Sequence, residues 1–209
     1  MKYKLHDEIV QGSPEWIALK IKIPLTGTQA FNLLKKGKIQ AIKDSQKAQK
    51  NSLKYSGPIS KYAKWGTDNE PIARNLLNRK LASTKEFSHI QFEEHGFIES
   101  LDYPLCGYSP DGVCLIKNKI EYLCEIKSFQ IAHAWKIWEN EMPDEHIMCQ
   151  IQWGLFLSGA QMCFFCLYCP FMNDETLTPD RKRHPERVLY IQKIYPNNDY
   201  FEAFAKALQ

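Results

Sequence analysis

The sequence predicts a mixed α/β domain with a central sheet flanked by helices, and three observations lead to this prediction. The first third of the chain shows helix-start signals and helical spacing, and the middle consists of short segments rich in β-branched and aromatic residues. The last third then alternates between the two patterns. A chain of 209 residues can bury a core of this kind as one domain.

The N-terminal third is predicted to be helical. Ser13 and Pro14 provide an N-cap and a first helical residue. A second short helix is expected to follow Thr28 and to stop at Gly37. The stretch from Lys38 to Tyr55 is rich in Lys, Gln and Ser, and it is predicted to be either helical or mobile.

A longer helix is predicted from Lys61 to about Leu81. Its apolar residues recur at helical spacing and are expected to face the core: Trp65, Ile72, Leu76 and Leu77.

The middle of the chain is predicted to form four short strands: Glu86–Phe92, Gly96–Leu101, Val113–Ile116 and Ile120–Ile126. The last two are expected to form a hairpin closed at Lys117–Lys119, because Asn118 tolerates the left-handed conformation that tight turns require. The rest of the chain is predicted to form helices at Ala132–Asn140 and Asp144–Ser158, strands at Met162–Tyr168 and Arg187–Ile194, and a closing helix at Asn197–Leu208.

Composition limits the possible functions. No apolar run approaches the roughly 18 residues needed to cross a bilayer, and the N-terminus does not resemble a secretory signal. We therefore expect no membrane association. The seven cysteines are an odd number without an export signal, which is typical of reduced thiols in a cytoplasm.

Charge is distributed unevenly along the chain. Residues 1–64 contain 13 Lys and 4 acidic residues and carry a net charge of +9, so residues 65–209 carry −6 of the total of +3. A basic segment joined to an acidic body is typical of proteins that guide a polyanion toward carboxylates. We therefore expect one domain over residues 1–209, with a polyanion-binding portion at 1–64 and a catalytic core at 65–209. A Lys-rich segment is also common as a merely solvated face.

The residues that carry chemistry are Asp111, Glu125 and Lys127. Asp111 precedes the predicted hairpin, and Glu125 and Lys127 are two apart on its second strand, so their side chains project from one face. Folding of the hairpin would place two carboxylates beside one ammonium. Such a pair favours a divalent cation, and oxygen ligands suit Mg²⁺ or Mn²⁺. These residues predict hydrolysis of a phosphodiester.

The flanking motifs resemble those of the YqaJ viral recombinase family, which comprises the lambda-type exonucleases with a PD-(D/E)xK restriction-endonuclease-like core. Four segments match the motifs of this family in order: Gln11–Trp16, Gly66–Pro71, Ser109–Gly112 followed by Glu125–Lys127, and His146–Gln152. The resemblance implies that Glu70 is a third carboxylate assisting a second metal ion, that Gln150 reaches the metal site, and that the backbone carbonyl of Ile126 is a further ligand. Glu70 has an alternative role in a capping box with Thr67.

The same resemblance implies a pocket for a 5′-terminal phosphate. Lys20 stands where the family usually has an Arg, and Thr28 matches a family hydroxyl. His133 occupies a second Arg position. Lysine can bind phosphate but lacks the bidentate fork of Arg, and histidine binds it only when protonated.

The implied activity is a Mg²⁺-dependent 5′→3′ exonuclease on double-stranded DNA, with two ions per site, in a bacterial or phage-infected cell. It would generate 3′ single-stranded tails for a single-strand annealing recombinase in phage-type DNA recombination, as a ring-shaped homotrimer. The alternatives are a structure-specific or sequence-specific endonuclease on the same core, or an inactive DNA-binding protein.

The spacing of Cys163, Cys166 and Cys169 is compatible with a metal or iron–sulfur site. However, residues three apart on a strand face opposite sides, so Cys163 and Cys166 are expected to diverge. We therefore interpret these cysteines as buried apolar thiols.

Overall fold

The computed structural model describes residues 1–54, 60–128, 142–170 and 189–209. The predicted helix Ala132–Asn140 and the start of the predicted strand Arg187–Ile194 lie outside these ranges. In chain order the described elements are β1 (Tyr3–His6), α1 (Pro14–Lys22), a 3₁₀ turn (Gly27–Gln29), α2 (Ala30–Lys36), α3 (Lys38–Lys54), α4 (Lys61–Ala82), β2 (Phe97–Ser100), β3 (Gly107–Tyr108), β4 (Gly112–Ile116), β5 (Lys119–Ser128), α5 (Glu145–Ser158), β6 (Met162–Tyr168), β7 (Leu189–Ile194) and α6 (Asn198–Leu208).

The central sheet is mixed and has the strand order β4-β5-β6-β7. The β4–β5 and β6–β7 pairs are antiparallel, whereas β5 and β6 are parallel. A parallel pair needs a long crossover, and α5 lies in the connection between these two strands. A second, antiparallel sheet has the order β1-β2-β3.

Helices cover both faces of the central sheet, which confirms the predicted mixed architecture. On one face, residues of α5 and α6 pack against Leu123 and Phe165. On the other face, residues of α4 pack against Phe164 and Cys166. The N-terminal helix α2 contributes Leu33 to the first of these clusters, so part of the Lys-rich segment is built into the core.

The predicted ends of the first helices are confirmed. The Ser13 hydroxyl accepts a hydrogen bond from the Trp16 amide at 3.2 Å and caps α1. Helix α2 stops at Gly37, whose positive φ of 80° favours glycine. The β4–β5 hairpin turns at Lys117 and Asn118, which both have positive φ.

Two predictions were wrong. The segment Glu86–Phe92 forms turns rather than a strand, because the side chain of Asn78 on α4 satisfies the backbone of Phe92. The side-chain amide of Asn78 donates to the Phe92 carbonyl, and the side-chain oxygen of Asn78 accepts from the Phe92 N–H, both at 2.9 Å. Ile72 is 48% exposed, since the buried side of α4 is centred on Ala73 and Leu77 instead.

The cysteines of β6 diverge as expected. Cys163 packs among the residues that face α5, and Cys166 packs among those that face α4. All seven cysteines lie in the described part of the chain, are buried and form no disulfide, and burial raises the pKa of the Cys163 and Cys166 thiols.

None of the helices in the described part of the chain is long and apolar enough to span a membrane.

Candidate active site

The β4–β5 hairpin brings Asp111 next to the end of β5. Gly112 pairs with Cys124, so the preceding Asp111 lies beside Glu125 and Ile126. One carboxylate oxygen of Asp111 accepts a hydrogen bond from the Ile126 N–H at 2.6 Å. The spacing of these residues in the sequence therefore becomes a contact through the tight turn of the hairpin.

The Gln11–Trp16 segment holds the loop that carries Asp111. The Trp16 indole N–H donates to the Ser109 hydroxyl at 2.7 Å, and this hydroxyl donates to the Gly96 carbonyl at 3.0 Å. The Gln11 side-chain amide donates to the Pro110 carbonyl at 2.7 Å. These contacts explain why a motif near the N-terminus accompanies a Ser-Pro-Asp-Gly motif about 100 residues later.

Glu125 is fully buried, and each of its carboxylate oxygens has its own donors. Oε1 accepts from Lys127 Nζ at 2.5 Å and from Gln150 Nε2 at 2.6 Å. Oε2 accepts from the Tyr108 hydroxyl at 2.6 Å. Lys127 Nζ also lies 3.4 Å from the Gln150 side-chain oxygen. Three of the predicted site residues, Glu125, Lys127 and Gln150, are thus in direct contact.

The carboxylates of this cluster are not balanced by its ammonium. Burial raises the pKa of Asp111 well above its usual value, and the neighbouring Glu125 raises it further. Burial opposes the charge on Lys127, but Glu125 and Asp111 outweigh this effect and raise the pKa of the ammonium. Lys127 is therefore positively charged, and one ammonium faces two acidic groups.

Glu70 approaches the same region from α4. It lies well inside this helix, whose N-cap is Ser60, so the alternative capping-box role with Thr67 is wrong. Burial raises the pKa of Glu70, and Arg74 opposes this effect. The Glu70 carboxylate lies 3.5 Å from the Arg74 guanidinium.

Arg74 links three parts of the site, and the sequence analysis did not identify it. This buried side chain donates to the Asp111 backbone carbonyl and to the Glu94 carboxylate, the latter at 2.9 Å. The spacing of Glu70 and Arg74, four apart on a helix, was a usable signal for their pairing. The contact with Asp111 has no local signal because it depends on the tertiary packing of α4.

The oxygen atoms of Asp111 and Glu125 fit a divalent cation. Without one, the two carboxylates repel each other and a proton on Asp111 relieves the repulsion, whereas a cation would relieve it without protonation. Oxygen donors are those that Mg²⁺ and Mn²⁺ prefer. Among the described residues, no three His, Cys, Asp or Glu side chains form a ready-made ligand cluster, and Glu70 is directed at Arg74.

A cavity of about 220 Å³ is lined by two of the three residues expected to bind a terminal phosphate, Lys20 and Thr28. Its lining includes Trp16, Lys20, Thr26, Thr28 and Gln29. Lys20 Nζ lies 3.9 Å from the centroid of the Trp16 ring, and burial lowers the pKa of Lys20 to about 8. The hydroxyls of Thr26 and Thr28 are 3.1 Å apart.

The third predicted phosphate ligand, His133, lies outside the described residues. Within the described residues, no carboxylate forms an ion pair with Lys20.

Trp16 connects this cavity with the acidic region. A cleft of about 320 Å³ is lined by Gln11, Gly12, Trp16, Thr67, Glu70, Pro71 and Glu94, so Trp16 borders both spaces. Pro71 has no N–H, which leaves the Thr67 carbonyl without its usual helical partner beside this cleft. The pocket that contains Lys20 and the cleft that contains Glu70 and Glu94 therefore adjoin at Trp16.

Comparison with solved structures identifies the fold. An alkaline exonuclease from Laribacter hongkongensis matches with a TM-score of 0.70 and 18% sequence identity, over 94% of this chain and 89% of that chain. Its complex with dAMP matches with a TM-score of 0.68, the same identity and the same coverage. A phage-related exonuclease from Haemophilus somnus 129PT matches with a TM-score of 0.54 and 11% identity, over 90% and 91% of the two chains.

A search of curated protein sequences found no match. Residues 15–161 match the model of the YqaJ-like viral recombinase domain, which covers more than half of the chain. The family match supports a phage-type DNA nuclease. The chain belongs to the YqaJ-like viral recombinase domain family.

Proposed function

We propose that this protein is a divalent metal-dependent exonuclease that degrades one strand of duplex DNA from its 5′ end. The observation that carries the proposal is the cluster of Asp111, Glu125, Lys127 and Gln150 beside a pocket that contains Lys20. The 3′ single-stranded tail that remains would be the substrate of a single-strand annealing recombinase in the bacterial cytoplasm.

The acidic residues would hold the cation. Asp111 and Glu125 are the proposed side-chain ligands. The Ile126 carbonyl is a further candidate, because the N–H and C=O of one strand residue point to the same side and this N–H faces Asp111. A cation at this position supplies positive charge against the scissile phosphate, and Mg²⁺ is the expected ion, with Mn²⁺ as a substitute.

Lys127 is the proposed positioning group for the attacking water. Its ammonium lies in the carboxylate cluster and carries positive charge, so it can donate to the water or to a phosphate oxygen on which charge develops. The water oxygen would bond to phosphorus while the bond to the 3′ oxygen breaks and the leaving oxygen takes up a proton. Gln150 would keep Glu125 and Lys127 in place through its contacts with both.

Glu70 is the proposed acidic residue of a second metal position. Its carboxylate lines the cleft next to the cluster but is directed at Arg74. Binding of a second cation would therefore require Glu70 to exchange this ion pair for metal coordination.

Lys20 and Thr28 are the proposed ligands of the 5′-terminal phosphate, with His133 as a further one. The cavity offers an ammonium without a carboxylate partner among the described residues and a pair of adjacent hydroxyls. A phosphate bound there would place the first nucleotides along Trp16, toward the carboxylates.

Residues 1–64 are proposed to hold the DNA backbone as part of one nuclease domain. Lys43, Lys47 and Lys50 are exposed on α3 and share one face at helical spacing, which is opposite the face of this helix that lines the cavity. A homotrimer around the duplex is also part of the proposal, and sedimentation at several protein concentrations tests it.

The experiment compares linear duplexes carrying 5′-phosphate or 5′-hydroxyl ends with a closed circular duplex, each with Mg²⁺ or with a chelator. We expect Mg²⁺-dependent release of nucleotides from linear DNA, faster from 5′-phosphate ends, and an intact circle. Cutting of the closed circle would reject the exonuclease in favour of an endonuclease on the same core. Binding of DNA without any cutting would favour an inactive DNA-binding protein.

A further inference from the structure

Tyr108 contacts the proposed catalytic cluster but lies outside the four sequence segments that match the family motifs. It lies in β3, just before Ser109, and its side chain is almost completely buried. Its hydroxyl donates to Glu125 Oε2 at 2.6 Å, whereas Lys127 and Gln150 both donate to Oε1. Among the described residues Tyr108 is thus the donor to Oε2, and together with the donors to Oε1 it restrains rotation of the Glu125 carboxylate group.

Two glycines make room for the Tyr108 ring. A Cβ atom on Gly154 of α5 would lie 2.6 Å from ring atom Cε1, and a Cβ on Gly27 would lie 3.0 Å from Cδ2. The same Cβ on Gly27 would lie 3.0 Å from Cγ of Gln150. A real side chain at either position would displace the ring or the glutamine, so both glycines permit the close approach that aims the hydroxyl at Glu125.

A tyrosine suits this position because it donates one hydrogen bond without adding charge. A phenol has an ordinary pKa of about 10 and keeps its proton near neutral pH, so the hydroxyl can donate to Glu125. A phenylalanine would fill the same space and leave a fully buried carboxylate oxygen without this donor.

We propose that Tyr108 is a positioning residue that fixes the orientation of the Glu125 carboxylate for cation binding, with Gly27 and Gly154 forming the slot for its ring. The proposal rests on the metal-dependent nuclease function proposed above. Partners that orient a metal ligand typically change metal affinity or activity by about 10–100-fold when they are removed.

The test measures Mn²⁺ binding to the DNA-free protein by calorimetry and the Mg²⁺ dependence of duplex hydrolysis. Tyr108→Phe should raise the half-saturating Mn²⁺ concentration about tenfold, and the half-saturating Mg²⁺ concentration should shift in the same direction. The control is Tyr103→Phe, at a tyrosine whose ring packs against Phe156. It should leave both concentrations within about twofold of wild type, because its side chain is not bonded to Glu125.

A second variant does not depend on the removal of the hydroxyl. Gly154→Ala keeps the tyrosine but crowds its ring, so it should weaken Mn²⁺ binding by a smaller factor. If Tyr108→Phe lowers the melting temperature while Mn²⁺ and Mg²⁺ dependences stay at wild-type values, Tyr108 is an ordinary core residue and the proposal is wrong. The same conclusion follows if both variants behave as wild type.

These outcomes differ from failure of the nuclease proposal itself. In that case the wild-type protein would not hydrolyse DNA, and Asp111→Asn would leave Mn²⁺ binding unchanged. Failure of the Tyr108 inference alone requires a wild-type protein that binds Mn²⁺ and cuts DNA, and an Asp111→Asn variant that does neither.

Discussion

At the scale of single residues, the Lys20 ammonium determines how recognition of a DNA end should depend on pH. Burial lowers the pKa of Lys20 to about 8, and the other lining residues of its pocket are uncharged. A phosphate binds the protonated amine, so binding should be strong below pH 8 and should weaken above it. The terminal phosphate itself is fully ionised in this range, since its second pKa is about 6.

The first prediction concerns this pH dependence. The preference for 5′-phosphate over 5′-hydroxyl ends, measured as a ratio of kcat/KM values, should fall about tenfold between pH 7 and pH 9. Lys20→Arg should keep its preference across this range, because a guanidinium stays protonated. An equal decline in both proteins would show that another group is responsible.

The second prediction concerns Arg74, which bridges Glu70, Glu94 and the Asp111 carbonyl. Arg74→Met leaves two partly exposed carboxylates without their cation, and we expect a loss of about 2 kcal/mol in the free energy of unfolding. Urea denaturation measures this loss. Arg79→Met, at an exposed position of the same helix, is the matched control and should have a small effect. Equal urea midpoints for the two variants would contradict the bridging role.

Residues of the site differ in how far the sequence predicts them. Asp111, Glu125 and Lys127 are predictable because a hairpin and the two-residue period of a strand convert their spacing into proximity. Arg74 and Tyr108 are not, since each reaches the cluster only through tertiary packing, Arg74 from α4 and Tyr108 from a strand of the other sheet. Contacts of this kind, between residues far apart in the sequence, cannot be read from local residue spacing.

At the scale of elements, the packing of α5 against β3 limits which residues the helix can carry. Gly154 lies in the middle of α5, where a glycine costs about 1 kcal/mol relative to alanine in helix propensity. The ring of Tyr108 occupies the space of the missing Cβ. Close packing therefore opposes propensity at this position.

The third prediction follows from this conflict. Gly154→Ala should destabilise the protein by about 1–2 kcal/mol, because overpacking outweighs the gain in propensity. Gly66→Ala in α4 is the control, since a Cβ at this position would meet no atom within 4 Å. It should stabilise the protein by up to about 1 kcal/mol. Thermal unfolding of both variants checks the opposite signs, and two shifts of the same sign would refute the packing argument.

Elements were predicted well where the local signals are strong. Caps and turn residues define the ends of α1, α2 and the β4–β5 hairpin. Strands β1 and β3 are not predictable from the sequence, because strands of four and two residues have too little periodicity to detect and exist only through their pairing with β2. The segment before β2 has strand-like composition, but the side chain of Asn78 satisfies its backbone at Phe92.

At the scale of the whole molecule, the N-terminal part of the sequence carries a net positive charge and the remainder carries a net negative charge. Residues 1–64 carry +9 and residues 65–209 carry −6. The exposed lysines of α3 lie on the helix that lines the proposed phosphate pocket with its opposite face, whereas Lys117 and Lys119 lie at the hairpin turn, which is the end of β4 distant from Asp111.

The fourth prediction uses this contrast. Replacing Lys47 and Lys50 by alanine should weaken binding to duplex DNA and make the dependence of log K on log salt shallower, by about one for each DNA phosphate that is no longer neutralised. The matched control replaces Lys117 and Lys119, which are also exposed. Titrations at several salt concentrations measure both slopes. Slopes that change equally for the two pairs would indicate that DNA binding is not directed by α3.

The central claim is that Asp111, Glu125 and Lys127 hydrolyse DNA with a bound divalent cation, and Asp111→Asn tests it most directly. The raised pKa of Asp111 means that its charge destabilises the metal-free protein above the normal pKa range of a carboxyl group, and asparagine removes this cost. The variant should therefore unfold at a temperature at least equal to that of the wild type at pH 7.

The decisive measurement is the rate of Mg²⁺-dependent release of nucleotides from a linear 5′-phosphorylated duplex by Asp111→Asn, with DNA affinity measured in parallel. We expect a decrease in rate of at least about 1,000-fold, with affinity for the duplex within about threefold of wild type. A rate close to that of the wild-type protein would contradict the assignment of the active centre.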